Sequence, residues 1–76
     1  RKLKCTNCKL VKLPNAELLP HLIELNCSDN LLTEIPNYRN LKKLECPANY
    51  ISKLPNYSKL TYLTCNRNPI TDICIP

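Results

Sequence analysis

Glycine, methionine, phenylalanine and tryptophan are absent from the 76 residues, and histidine occurs once, as His21. Each absence closes a route to function. Without glycine there is no Gly-rich loop to cradle a phosphate, and one histidine leaves no Ser-His-acid arrangement to assemble. No carboxylate pair stands outside the chain's repeating positions, and only one C-x-x-C is present, Cys5 to Cys8. The expectation is a chain with no catalytic residue, no metal and no cofactor. No apolar run approaches the ~20 residues of a membrane span, and no signal-peptide pattern is present. With the larger hydrophobes missing, the core falls to leucine, isoleucine and cysteine. A compact globule of this length built from them is marginal.

What the chain does have is a period. Leu44, Cys46, Asn49, Ile51 and Leu54 recur at a constant offset as Leu63, Cys65, Asn68, Ile70 and Ile73, while Pro55 meets Cys74. The same frame stands one equal step earlier in Leu25, Cys27, Asn30, Leu32, Ile35 and Pro36. A further copy, set off by a slightly longer step, precedes that one in Leu3, Cys5, Cys8, Leu10, Leu13 and Pro14. Four units therefore divide the chain at approximately 1–21, 22–40, 41–59 and 60–76. An array of such units is less constrained by size, because each repeat buries its apolar face on its neighbours and about three suffice.

In Leu-x-Cys the apolar residues alternate, which is the pattern of a short strand with one face turned inward. Strands that recur in one direction after equal connections lie parallel. About a dozen residues remain for each return, too few for an ordinary helix with two loops. The proline after each Leu/Ile-x-x-Leu step fixes φ and steers its predecessor away from helix. An extended or 3₁₀ return is expected, with the extra length of the first unit, within residues 15–21, making a wider bend or a short helical turn.

The unit LxxLxCxxNxIxxLP resembles the leucine-rich repeat, LxxLxLxxNxL, with cysteine at the second strand leucine. The resemblance covers essentially the whole chain. The short unit and the Leu-Pro step are similar to repeats of bacterial secreted effectors and of large DNA viruses of amoebae. It implies a leucine-rich repeat solenoid with a parallel short-strand sheet on its concave side and an extended or 3₁₀ convex side with little helix. It also implies that the strand face binds a protein partner.

Asn30, Asn49 and Asn68 are expected to be buried at the bend after each strand, where an amide both donates to and accepts from unpaired loop backbone. Cys8 takes that place in the first unit, which accounts for the C-x-x-C without redox or zinc chemistry. Tyr38 and Tyr57, with Ala16 in the corresponding first position, are expected to stack along the convex flank. Cys5, Cys27, Cys46 and Cys65 form one column, in which cysteine acts as a small buried hydrophobe and remains a free thiol. Free thiols suit a reducing compartment, the cytoplasm or the interior of a virion.

Eleven Lys and Arg against six Asp and Glu give a formal net charge of +5. Along the free strand face the expected columns are Lys2, Glu24, Lys43, Tyr62; Lys4, Asn26, Glu45, Thr64; and Thr6, Ser28, Pro47, Asn66. Charge alternates in sign along them, so neighbours attract. A phosphate-tracking stripe needs like signs in a row, which argues against nucleic acid at this face. The reading is a protein-binding scaffold with Glu24, Asn26, Lys43, Glu45, Tyr62, Thr64 and Asn66 as contact residues. The competing reading is a structural component of a larger assembly such as a virion, packed through the apolar ends at Leu3/Cys5 and Ile73/Ile75. The chain enters directly on a strand, and solenoids need capping ends, so the residues are expected to belong to a longer protein.

Overall fold

Each copy places one leucine between two polar residues just ahead of its repeating cysteine, and each such triplet forms a strand. In the computed structural model, which describes residues 1–70, these are β1 (Lys2–Lys4), β2 (Glu24–Asn26), β3 (Lys43–Glu45) and β4 (Tyr62–Thr64). They make one parallel sheet in the order β1-β2-β3-β4. Leu3, Leu25, Leu44 and Leu63 pair in register, so one sequence period carries the chain from each strand to the next. The strands begin one residue earlier than Leu3–Cys5 suggests. The cysteines still hold the next rung: the N–H groups of Cys5, Cys27 and Cys46 donate to the carbonyls of Asn26, Glu45 and Thr64 at 2.9, 2.8 and 2.9 Å.

Behind the sheet lies a continuous core. Leu25, Cys27, Leu44 and Cys46 pack from the strands, and Leu32, Ile35, Ile51 and Leu54 from the returns. Leu3, Cys5, Leu63 and Cys65, in the first and last strand units, are only partly buried against it. The apolar stretch Ile73 to Pro76 lies outside the described residues.

The returns contain little helix. One 3₁₀ turn, Ala16–Leu18, takes up the extra length of the first unit, its N–H groups closing back as Leu18 to Asn15 (3.0 Å) and Leu19 to Ala16 (3.2 Å). The tyrosines depart from expectation. Tyr38 and Tyr57 do not lie along a flank but are 1% and 2% exposed, inside the core. The chain has no phenylalanine or tryptophan, and these rings fill the depth between sheet and return. Their hydroxyls avoid a desolvation penalty by donating to the preceding unit, Tyr38 to the Pro14 carbonyl (2.7 Å) and Tyr57 to that of Pro36 (3.0 Å).

After each strand the backbone turns sharply and is held by the asparagine column. The Asn30 amide donates to the carbonyls of Cys5 (2.8 Å) and Cys27 (2.9 Å), and its oxygen accepts from the N–H groups of Cys8 and Leu10. Asn49 repeats this on Cys27, Cys46 and Leu32, and Asn68 on Cys46, Cys65 and Ile51. Asn30 and Asn49 are buried as expected, whereas Asn68 is half-buried. Among the described residues no buried side-chain nitrogen or oxygen lacks a partner.

The residue before each member of this column is left-handed: Asn7, Asp29, Ala48 and Arg67 have φ of 52°, 57°, 58° and 61°. Asparagine and aspartate tolerate that region, but alanine and arginine meet a Cβ clash. Asn49→Ala removes one amide from several buried backbone groups and should cost on the order of 3 kcal/mol in urea unfolding, while the exposed Asn37→Ala should change little. Ala48→Gly relieves the clash and should raise stability by about 0.5–1 kcal/mol in the same measurement, after the entropic penalty of glycine.

Candidate functional site

The outward residues of the four strands form a polar face whose order follows from register. Lys2, Glu24, Lys43 and Tyr62 stand opposite one another in sequence, and so do Lys4, Asn26, Glu45 and Thr64. A cavity of about 240 Å³ opens on this face, walled by Glu24, Asn26, Lys43 and Glu45 together with Lys2 and Lys4. Four of the seven expected contact residues are thus brought together. Tyr62 adjoins them, half exposed, with the Lys43 ammonium 5.2 Å from its ring centroid. Thr64 is partly buried beside Glu45, and Asn66 lies beyond β4, its carbonyl accepting from the Ala48 N–H at 3.0 Å. Lys2 and Lys4 complete the wall but were not among the expected contacts.

The ion pairs are arranged differently from simple attraction across strands. Lys2 and Glu24 do meet across β1 and β2, at 4.0 Å. Lys43, however, pairs at 3.3 Å with Glu45 on its own strand, because residues two apart share a face. Glu45 also accepts from the Asn26 amide at 3.3 Å, and the Asn26 oxygen accepts from the Ser28 hydroxyl at 2.6 Å. Both ion pairs are substantially solvated, so they orient side chains more than they stabilise the fold.

Directly behind this face stands the cysteine column. Cys5, Cys8, Cys27, Cys46 and Cys65 are free thiols, and Cys27 and Cys46 are buried. Burial pushes the Cys27 thiol strongly up and Cys46 up to about 12, with neighbouring thiols of the column adding to both. Cys5 and Cys65 are raised by burial as well. Buried thiols held protonated are poor nucleophiles and metal ligands. Cys8 is exposed, donates its S–H to the Thr6 carbonyl at 3.2 Å, and is tied to the asparagine column through its backbone. Among the described residues no three His, Cys, Asp or Glu side chains converge as a metal site requires.

A second concavity lies outside the expected contact set. About 440 Å³ in volume, it sits where the chain enters the strands and is lined by Arg1, His21, Ile23, Asn40, Lys42 and Lys59. The signal was present in the period: His21, Asn40 and Lys59 occupy one repeat position, and Ile23 and Lys42 another. Against family models, curated proteins and solved structures, the chain shows no significant match.

The buried column sets an alkaline limit. Below the ordinary thiol pKa, ~8.5, both folded and unfolded chains keep their protons. Above it the unfolded chain releases thiol protons that the folded chain retains, so stability falls with pH until Cys46 ionises near 12. Tyr38, pushed up to about 12 by burial, extends the loss above the ordinary phenol value of ~10. Urea midpoints should therefore decline from about pH 9 upward, and the Cys27→Ala/Cys46→Ala double variant should show a shallower decline between about pH 9 and 10.

Proposed function

We propose that the chain is a short leucine-rich repeat solenoid that binds a protein partner through the outward face of its strands. The observation that carries this reading is the register of polar columns around the cavity of about 240 Å³. A rigid sheet presents Lys2, Glu24, Lys43 and Glu45 at fixed spacing, with the half-exposed Tyr62 ring as an aromatic anchor beside them. Held charges define partner register and encounter rate, and a tyrosine supplies contact area at low entropic cost. The role is recognition without catalysis, in a reducing compartment that keeps the thiols free.

A second reading has one specific observation in its favour. Leu3, Cys5 and Leu10 in the first unit are partly buried, as are Leu63, Cys65 and Ile70 in the last described one. These surfaces suit end-to-end packing in a larger assembly, and strand edges accept further strands. On that reading the ends are the contacts and the strand face is spectator surface.

The two are separated by site-specific photo-crosslinking in the native setting. A crosslinker at Tyr62 should capture a protein that one at Lys53, on the return side, does not. Lys43→Glu/Glu45→Lys should then weaken that protein's binding about tenfold or more. A partner captured at Tyr62 whose affinity is unchanged by the double reversal would remove the strand-face site. Crosslinks confined to Leu3 and Leu63 would favour the assembly reading.

A further inference from the structure

We infer that the edge at which the chain enters its strands is a binding site for a small ligand carrying two adjacent phosphate groups. Two cavities adjoin there. The one of about 440 Å³ is walled by Arg1, His21, Lys42 and Lys59, and the other, about 400 Å³, by Arg39 and Lys59; both are also lined by Asn40. Among the described residues neither wall contains an aspartate or a glutamate. The acidic residues with described structure stand elsewhere: Glu24 and Glu45 on the strand face, Asp29 at the turn after β2, and Glu17 and Glu34 on the returns. The two ion pairs found among the described residues engage Lys2 and Lys43, not the cations of this edge. A concavity lined by one sign of charge concentrates counter-ions within it.

One of the cations, Lys59, is also placed in advance. Asn40 donates from its amide to the Pro20 carbonyl at 2.8 Å, which fixes the direction of its oxygen. That oxygen accepts from the Lys59 ammonium at 2.8 Å, holding Lys59 in the wall shared by the two cavities. An ammonium has three N–H groups, so two remain for a ligand. The Arg1 nitrogen donates to the His21 carbonyl at 3.1 Å, which ties Arg1 to the wall of the larger cavity. Guanidinium and ammonium groups bind phosphate oxygens through charge-assisted bonds, the former in a fork.

This geometry defines the ligand. Arg1, Lys42 and Lys59 line the larger cavity and Arg39 and Lys59 the smaller, so a diphosphate at the shared wall has cations of both cavities to engage. Ile23 gives the larger cavity one apolar side, against which an organic group attached to the diphosphate packs. No tyrosine lines either cavity, so the edge lacks the stacking platform that a single-stranded nucleic acid uses. The edge is separate from the strand face, and a ligand here leaves the proposed protein contact open.

The test is a titration of the ¹⁵N-labelled chain with inorganic pyrophosphate at fixed ionic strength. Amide shifts at residues 21–23, 39–42 and 58–61 should move together and saturate. Lys42→Ala/Lys59→Ala should weaken binding by about tenfold or more, since two charge-assisted contacts are lost. Both lysines are exposed, and the amide spectrum of the variant reports its fold independently. Lys53→Ala, in a cavity shared with Glu34, should leave the affinity unchanged. Equal weakening by Lys53→Ala, or shifts scattered over every lysine without saturation, would overturn the site. So would tighter binding of a short oligothymidylate through Lys42 and Lys59 with a steeper salt dependence, which would make the edge a nucleic-acid surface.

Discussion

The asparagine amide at the end of each strand is the interaction on which the other parts of this chain depend. A sharp turn after so short a strand leaves carbonyls and N–H groups facing inward, and water cannot reach them once the units stack. One amide, with two donors and an acceptor, satisfies them on both its own unit and the one before: Asn49 donates to Cys46 and to Cys27 and accepts from Leu32. Lateral alignment follows from that single side chain. The register of Leu25 on Leu44, the stacking of Cys27 on Cys46 and the outward columns of charge all inherit their spacing from it.

Because alignment is set from within, the outer surfaces are free to differ. The strand face mixes signs, with Lys2 on Glu24 and Lys43 on Glu45. Among the described residues, the charged side chains lining the entry edge are all basic. The same backbone position carries His21, Asn40 and Lys59 in successive units, and only their side-chain bonding makes one surface of them. Repetition of the frame thus coexists with two chemically distinct faces on a chain of modest size.

Much of this architecture was legible in the sequence because the residues that enforce it recur. Leucine, cysteine and asparagine at fixed offsets foretold the parallel strands, their face alternation and the buried amides of Asn30 and Asn49, with Asn68 only half-buried. The extra length near Ala16 left a wider bend or a short helical turn open, and a 3₁₀ turn is what forms there. The left-handed residues were not legible: alanine at 48 and arginine at 67 carry no mark of positive φ, and the turn imposes it on whatever stands before the asparagine. Nor was the depth of Tyr38 and Tyr57. A tyrosine after proline and asparagine reads as surface, and its burial depends on a carbonyl of the preceding unit being within reach of its hydroxyl. The candidate contacts were legible as a face, and the expected columns already set Lys2 beside Glu24 and Lys4 beside Asn26, but the cavity that opens among them carried no mark in the sequence. The entry-edge cavity required joining positions one repeat apart that differ in residue type.

The 3₁₀ turn at Ala16–Leu18 bears on how such a chain accepts insertions and deletions. An insertion between a strand and its asparagine displaces the amide from the carbonyls it must reach, so a length change there destroys the lock. On the return, the added length of the first unit winds into one turn while Leu25 still lands opposite Leu3. Point insertions are thereby confined to one side of the molecule, and elsewhere lengthening proceeds by whole units. Duplication of one complete repeat adds a strand, a lock and a tyrosine at once, and the older units keep their register.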